Sequence, residues 1–382
     1  MATIDPVELT RALVRCPSVT PDAAAALDVV EAALTPLGFA CHRLRFETPG
    51  TAPVDNLFAK LGRGAPHLVL AGHVDVVPPG DPARWSVDPF AGEIRDGMLW
   101  GRGAADMKSG VACEVAAVAR HLARHGLPEG AISFLVTGDE EAAAVNGTVK
   151  LLAWAAGRGE RFDHCVLAEP TSVERLGDTA KIGRRGSLTG TLTVHGRQGH
   201  TAYPERADNA AHRIVAMLHA LLAEPIDRGT AHFEPSDLQL TSIDIANPAS
   251  NVVPGEARAR FNIRYNDGQD RASLERWLRQ RLDAAGGSYG LELETSGDAF
   301  VTEPGPLSEL LAASVEEVTG RRPALATTGG TSDARFIRSH CPVIDFGLVG
   351  ATMHQIDERV PLSDVEQAAR VYERFLDLYF PQ

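Results

Sequence analysis

The hydrophobic run at residues 131–136 is the most informative pattern in the chain, because it ends just before the adjacent pair Glu140 and Glu141. An apolar run of this length predicts an interior strand of an α/β sheet whose faces are covered by helices. Open α/β sheets place their chemistry at such strand ends, so both carboxylates are expected at a cleft. A solvated acidic turn is the alternative, and the other segments decide between the two.

Similar patterns predict further elements on both sides of this strand. The predicted helices are 5–14, 23–37 and 111–125, and the predicted strands are 56–61, 67–73 and 131–136. Apolar strands that alternate with helices indicate a sheet with helices on its faces.

The pattern changes near Lys181, where threonines begin to alternate with apolar residues at 188–195. This alternation predicts a half-exposed strand. The elements predicted after it are a helix at 209–222, strands at 238–245 and 256–265, and a helix at 272–285. The order predicts a compact α+β unit with helices on one face of an antiparallel sheet.

The first pattern returns after the Pro- and Gly-containing segment 302–306, so the second unit is expected to be inserted into the first. Two domains are also the usual result for 382 residues. We expect the first domain at 1–180 and 297–382, and the inserted domain at 181–296.

Composition limits the possible partners and the compartment. The net charge of −13 argues against nucleic-acid and anionic-membrane partners, although small anionic substrates respond to local charge instead. The five cysteines form no close pair, which is typical of a reducing compartment. The sequence shows neither a basic region followed by an apolar core at its start nor a run that could cross a bilayer. A cytoplasmic protein is therefore expected.

Metal-capable residues stand in five segments, each at the end of an apolar run or in a glycine-rich turn. They are His73, Asp75, Asp106, Glu140, Glu141, Glu169 and His354. Alone, His354 could be a hydrogen-bonded structural residue and Asp106 a helix cap. Together, two imidazoles and several carboxylates suit one or two divalent ions of the zinc type. The spacing of His73 and Asp75 fits a carboxylate that orients a ligating imidazole.

The segments 72–78, 101–110 and 138–141 resemble the di-zinc amidohydrolases that include aminoacylases, acetylornithine deacetylase and carboxypeptidases. The resemblance covers essentially the whole chain. It implies a di-zinc aminopeptidase-like catalytic domain, a mixed sheet flanked by helices, with an inserted α+β dimerisation domain. It also implies a cis peptide bond after Asp106.

The same resemblance implies the roles of the metal-capable residues. His73, Asp106 and Glu169 would hold one zinc ion, and Asp106 would bridge to a second ion, zinc or cobalt. The second ion would be held also by Glu141 and His354. Asp75 would orient His73, and Glu140 would act as the general acid and base while a metal-bridged hydroxide attacks an amide.

Three further segments, 183–187, 198–204 and 329–336, favour one reaction within this group. It is the hydrolysis of N-succinyl-LL-2,6-diaminopimelate to succinate and LL-2,6-diaminopimelate in lysine biosynthesis. Deacylation of acetylornithine or another N-acyl amino acid is the alternative. A metal-dependent binding protein without catalysis is a third possibility, and the presence of Glu140 argues against it.

The resemblance also implies substrate contacts and a homodimer. His200 would reach the active site of the partner subunit, although by itself it could be a turn histidine. Arginine forks match the carboxylates of such a substrate. The candidate contacts are Lys181, Arg184, Arg185, Tyr203, Asn251, Arg264, Gly330, Thr331 and Ser332. Gly350 departs from the family, which usually has asparagine there, and this weakens the substrate expectation but not the metal expectation.

Overall fold

A mixed sheet of eight strands organises the larger of two units in the computed structural model, which describes residues 3–381. The larger unit comprises residues 3–182, Thr302–Ala326 and 332–381. The smaller unit comprises Gly183–Val301 and Thr327–Thr331. Its long segment extends to Val301 because Phe300–Val301 pairs with Gly183–Arg184.

Both units contain α-helices and β-strands. The α-helices are α1 Pro6–Val14, α2 Ala24–Leu34, α3 Ser109–His125, α4 Thr148–Gly157, α5 Ala210–Leu222, α6 Arg271–Ala285, α7 Pro306–Thr319, α8 Ala334–Ile337 and α9 Leu362–Tyr379. The first nine strands are β1 Ala40–Phe46, β2 Val54–Gly62, β3 His67–His73, β4 Glu93–Arg95, β5 Met98–Trp100, β6 Ala131–Thr137, β7 His164–Leu167, β8 Thr179–Lys181 and β9 Gly183–Arg184. The remaining strands are β10 Gly186–His195, β11 Gly199–His200, β12 Asp237–Asp244, β13 Val252–Val253, β14 Glu256–Tyr265, β15 Ser288–Gly297, β16 Phe300–Val301, β17 Ala324–Ala326, β18 Val343–Asp345 and β19 Arg359–Pro361.

The centre of the large sheet brings three strand ends together. The strand order is β1-β2-β6-β3-β7-β18-β8-β17, and β3 lies parallel to both β6 and β7. Every residue of β3 and β6 is buried, as expected for strands covered on both faces. The segments that follow β3, β6 and β7 therefore leave the sheet side by side at one edge.

Helix α3 packs closely on this edge of the sheet. Residues 111–119 are all buried, and α3 contacts α1 and α9. A Cβ at Gly110 would lie 2.3 Å from the carbonyl oxygen of Ala168, and one at Gly72 would lie 2.7 Å from Val111 Cγ2. Glycine at both positions allows the start of α3 to approach the strand ends.

Helix α9 covers the outer side of α3 with one apolar stripe. Its buried residues include Val365, Ala369, Tyr372 and Leu376, at the spacing of one helix face.

No helix within residues 3–381 combines the length and apolar character that crossing a membrane requires.

The smaller unit is an antiparallel sheet in the order β12-β14-β10-β15, and α5 packs on α6, β10 and β14. Leu192, Phe261 and Leu278 belong to its core. The predicted helices and strands of this region are confirmed, but β15 is not among the predicted strands. Leu291 and Leu293 alternate with acidic residues in β15, so the period of two was present in the sequence.

Candidate metal centre

Three neighbouring strand ends carry the central residues of the site. His73 is the last residue of β3, Glu140 and Glu141 follow β6, and Glu169 follows β7. Because these strands are parallel neighbours, their carboxyl ends meet at one edge of the sheet. The two glutamates lie in a turn that begins at Glu140.

Asp106 lies between the two histidines. Its Oδ1 is 3.3 Å from His73 Nε2, and its Oδ2 is 3.3 Å from His354 Nε2. One carboxylate therefore presents one oxygen to each imidazole, as a bridging ligand requires. The peptide bond between Asp106 and Met107 is cis, as the resemblance implies.

The remaining carboxylates complete two groups around this bridge. His354 Nε2 lies 3.0 Å from Glu141 Oε1. His73 Nε2 lies 3.9 Å from Glu169 Oε1 and 4.0 Å from Glu140 Oε2. Potential ligand atoms of His73, Asp106 and Glu141 lie within 4.8 Å of one another, and so do those of His73, Glu140 and Glu169.

Two orphaned atoms show that the site fits divalent cations. His73 Nε2 and Asp106 Oδ1 are buried and face each other at 3.3 Å, yet neither makes a hydrogen bond within the described part of the chain. Buried polar atoms are normally satisfied, so such a pair indicates a missing partner. Nitrogen and carboxylate donors at these separations suit zinc-type ions.

The electrostatics of the site favour a cation as well. Burial raises the pKa of Glu140 to about 8, against the effect of His73 and with the help of the charges of Asp333 and Glu141. Hydrogen bonds to Asp106 and Glu141 raise the pKa of His354 to about 10. The carboxylates thus repel one another in a buried site, and a divalent cation would offset that repulsion.

Asp75 supports both His73 and the pair of glutamates. Its carboxylate accepts the backbone N–H groups of Glu140 at 3.3 Å and Glu141 at 3.1 Å. His73 Nδ1 lies 3.0 Å from the backbone carbonyl of Asp75 and 3.6 Å from its carboxylate oxygen Oδ1. The structure therefore adds a second contact to the predicted orienting role, because the carboxylate also fixes the turn that carries both glutamates.

Glu358, which no sequence pattern singles out, holds the loop that carries Asp106. Its fully buried carboxylate accepts the backbone N–H groups of Gly103, Ala105 and Asp106 at 3.1, 2.8 and 3.1 Å. Arg102 Nη1 donates to the same carboxylate at 2.6 Å.

Arg102 also connects this loop to the second histidine. Its Nη2 donates to the carbonyl oxygen of His354 at 3.4 Å, and its Nη1 lies 3.2 Å from that of Gln355. The buried pair of Arg102 and Glu358 therefore ties the backbone of one metal-capable residue to that of another.

The predicted substrate contacts fall in both units. In the larger unit, Lys181 is buried at the end of β8, and Ser332 donates to Asp345 Oδ2 at 2.9 Å. A Cβ at Gly350 would lie 3.2 Å from the sulfur of Met353, so a larger residue there would require this exposed side chain to shift slightly.

In the smaller unit, one pair of predicted contacts is brought together. Arg184 Nη1 donates to the carbonyl oxygen of Gly330, which precedes Thr331, at 2.9 Å. Arg264 lies on β14, and burial together with the charge of Arg185 lowers its pKa.

The other group in the smaller unit surrounds His200. The rings of His200 and Tyr203 are 5.7 Å apart, and the N–H of Thr201 donates to the carbonyl oxygen of Asn251 at 3.1 Å. His200 is exposed, and its Nδ1 accepts the N–H of Ala202 at 3.0 Å. Its Nε2 is then the nitrogen that carries the proton.

Comparison with known proteins gives a family match and close relatives. The model of Peptidase family M20/M25/M40 matches residues 69–378. The succinyl-diaminopimelate desuccinylase of Rhodopseudomonas palustris (strain BisB18) is 58% identical over 385 residues, covering 98% of each chain.

Solved structures share the fold. The aminopeptidase PepT of Bacillus cereus has a TM-score of 0.79 at 20% identity and covers 99% of this chain and 100% of its own. A dinuclear metal-binding peptidase of Bacillus subtilis has a TM-score of 0.70 at 14% identity and covers 98% and 97%. The α/β fold class expected from the sequence is confirmed.

Replacing Glu358 with glutamine should weaken the binding of a divalent cation, with zinc as the probe, by roughly 10- to 100-fold, the usual effect of losing a group that supports a metal ligand. The substitution removes the charge that Arg102 and three backbone N–H groups share. Competition with a chromophoric chelator would measure the affinity. Glu366→Gln is the matched control, since Glu366 forms a part-exposed ion pair with Arg120. Equal zinc affinity in Glu358→Gln and the wild type would contradict the supporting role.

Proposed function

Because this chain belongs to Peptidase family M20/M25/M40, we propose that it is a zinc-dependent hydrolase of N-succinyl-LL-2,6-diaminopimelate. The products are succinate and LL-2,6-diaminopimelate, a step of lysine and diaminopimelate biosynthesis. The observation that carries the substrate is the 58% identity to a desuccinylase over nearly the full length of both chains. A cytoplasmic location is part of the proposal, and the five free cysteines support it.

Two zinc ions per subunit are proposed for the metal centre. His73, Asp106 and Glu169 would hold one ion, while Asp106, Glu141 and His354 would hold the other, for which cobalt is a second candidate. The support is that the two oxygens of Asp106 face His73 and His354 at the same distance of 3.3 Å. When bound, such a pair of ions acidifies a water molecule and polarises the carbonyl of the substrate.

Glu140 is proposed to move the proton. It takes a proton from the attacking water as the bond from water oxygen to amide carbon forms. It then delivers the proton to the amine nitrogen as the carbon–nitrogen bond breaks. Burial favours its protonated form, whereas a nearby cation favours the carboxylate. These opposed effects suit a group that must accept and release a proton at neutral pH.

Cationic groups of the smaller unit are proposed to bind the carboxylates of the substrate. Burial lowers the pKa of Arg264, and the positive charge of Arg185 adds to this effect because the two guanidinium groups repel each other. An anion between them would relieve that repulsion, and a planar fork binds a carboxylate with two parallel hydrogen bonds. Arg184, Tyr203, Asn251, Gly330 and Thr331 are proposed as further contacts, with Lys181 and Ser332 from the larger unit.

A homodimer through the inserted unit is also proposed, in which His200 serves the active site of the partner subunit. The chemistry of His200 supports its part of this proposal, because the exposed ring carries its proton on Nε2 when Nδ1 accepts the N–H of Ala202. A neutral imidazole with an outward N–H can donate to the oxyanion that develops on an amide carbonyl.

The substrate proposal is tested by comparing N-succinyl-LL-2,6-diaminopimelate with N-acetylornithine as substrates of the zinc-loaded protein. We expect a larger kcat/KM for the succinylated substrate. A larger kcat/KM for N-acetylornithine would overturn the specificity and leave the metal centre in place. Full zinc occupancy without hydrolysis of any N-acyl amino acid in a panel would indicate a binding protein instead.

The division of labour between the two glutamates is tested by a pair of glutamine variants. Glu140→Gln should retain both zinc ions and lose turnover by roughly 10²- to 10⁴-fold, the usual contribution of a general acid–base group. Glu141→Gln should instead bind the second ion more weakly. Zinc content and kcat would be measured for both. If Glu140→Gln lost zinc as readily as Glu141→Gln, Glu140 would be a ligand with His73 and Glu169.

The dimer proposal predicts that His200→Ala binds zinc normally and lowers kcat by at least about tenfold, because an oxyanion donor is lost. His212→Ala is the matched control, since His212 is also an exposed histidine of the smaller unit. Analytical ultracentrifugation would report the oligomeric state of each variant. Full activity in His200→Ala, or in a monomer shown to be stable at assay concentrations, would contradict the proposal.

A further inference from the structure

A second group of metal-capable side chains lies at the other end of α3. His121 and His125 stand in its last turns, and Asp377 projects from the last turns of α9. His121 is on the order of 18 Å along the helix axis from Ser109, where α3 begins beside the metal centre. The group therefore shares no residue with that centre.

The two histidines are four residues apart on one helix, which places both rings on the same face. Their ring centroids are 5.0 Å apart. A pair of histidines at this spacing is a known zinc-binding arrangement on helices. The third ligand comes from a different helix, so the group spans a tertiary contact between α3 and α9.

The distances between these side chains are close to those between the ligands of one transition-metal ion. His121 Nδ1 lies 2.7 Å from Asp377 Oδ1, and His125 Nε2 lies 3.3 Å from the same oxygen. Ligands about 2.0–2.1 Å from a tetrahedral zinc ion lie roughly 3.3 Å from one another. The pair of His125 and Asp377 is thus already at that separation. The pair of His121 and Asp377 is a hydrogen bond of 2.7 Å and needs to open by about 0.6 Å, to roughly 3.3 Å.

The surroundings of Asp377 hold one of its oxygens and turn the other towards the two histidines. Arg124 Nη1 donates to Oδ2 at 3.1 Å, while Arg124 Nη2 pairs with Glu373 Oε1 at 2.6 Å. Oδ1 faces the two histidines. A ligating carboxylate is commonly held by such a second hydrogen bond, which fixes its orientation.

Burial sets how an ion would enter. The side chain of His121 is fully buried, that of Asp377 is 11% exposed and that of His125 is 25% exposed. The group is therefore anchored in the interior and opens towards solvent at His125, where water could supply the fourth ligand of a tetrahedral ion.

We propose that His121, His125 and Asp377 form a third divalent-metal site, selective for zinc and similar imidazole-binding transition metals. A bound ion would replace the proton between His121 and Asp377 and would join α3 to α9. Helix α3 starts just after Asp106, and α9 starts just after Glu358 and the strand β19. The ion would thus stabilise the two helices that support the metal centre, without touching a substrate.

The test is the zinc stoichiometry of the full chain at buffered free zinc, measured by elemental analysis. We expect about three ions per chain in the wild type and about two in His125→Ala and Asp377→Asn, since two of three protein ligands rarely hold zinc. His340→Ala is the matched control, because His340 is exposed and lies in a turn of the same unit. It should bind as many ions as the wild type.

Thermal unfolding gives a second measurement that does not depend on activity. Above the concentration that fills the metal centre, added zinc should raise the Tm of the wild type but not that of His125→Ala. His125→Gln, which keeps the size of the side chain, replaces the alanine variant if the latter does not fold. Equal stoichiometry and equal zinc-dependent Tm in the wild type and the variants would overturn the proposal. The cluster would then be a hydrogen-bonded group only, and this conclusion would hold whether or not the chain hydrolyses the proposed substrate.

Discussion

The hydrogen bonds accepted by the buried carboxylate of Glu358 are the interactions on which the metal centre depends most. This carboxylate satisfies three backbone N–H groups of one loop and the guanidinium of Arg102, all far from it in sequence. A buried ion pair of this kind contributes little net stability, yet breaking it by removing one partner costs about 3–5 kcal/mol. Its role is geometric: it holds the backbone of Asp106 while Arg102 holds the carbonyl of His354.

The metal centre places several carboxylates close together in a buried environment, which is electrostatically unfavourable. Asp75 has its pKa raised to about 6 by burial, even though His73 acts in the opposite direction. A set of carboxylates in this environment is unfavourable until a cation joins it. The rigid sheet edge and the hydrogen bonds of Asp75 and Glu358 keep the carboxylates together. The fold thus fixes the positions of the carboxylates, and a bound cation would offset their mutual repulsion.

Most elements of the fold were predictable from the sequence because they follow local patterns. The metal-capable residues could be singled out because each stands at the end of an apolar run or in a glycine-rich turn, whereas their individual roles rest on the family resemblance and stay predictions. The all-buried strands β3 and β6 have continuous apolar runs, and site residues stand at the end of β3 or a few residues after β6. Glu358 was not predictable, since its partners are separated from it by about 250 residues and no periodicity marks it. The support of the glutamate turn by Asp75 is equally non-local, because it joins the ends of two different strands.

The packing at Gly110 has a consequence for how the chain can vary. A methyl group there would lie 2.3 Å from a backbone carbonyl oxygen that cannot rotate away. Substitution would therefore shift the start of α3 and, with it, the loop that carries Asp106. Mutational tolerance at this position is set by the spacing between a helix and a sheet rather than by any chemistry of the side chain. Glycines without a catalytic role can thus be as restricted as the metal-capable residues themselves.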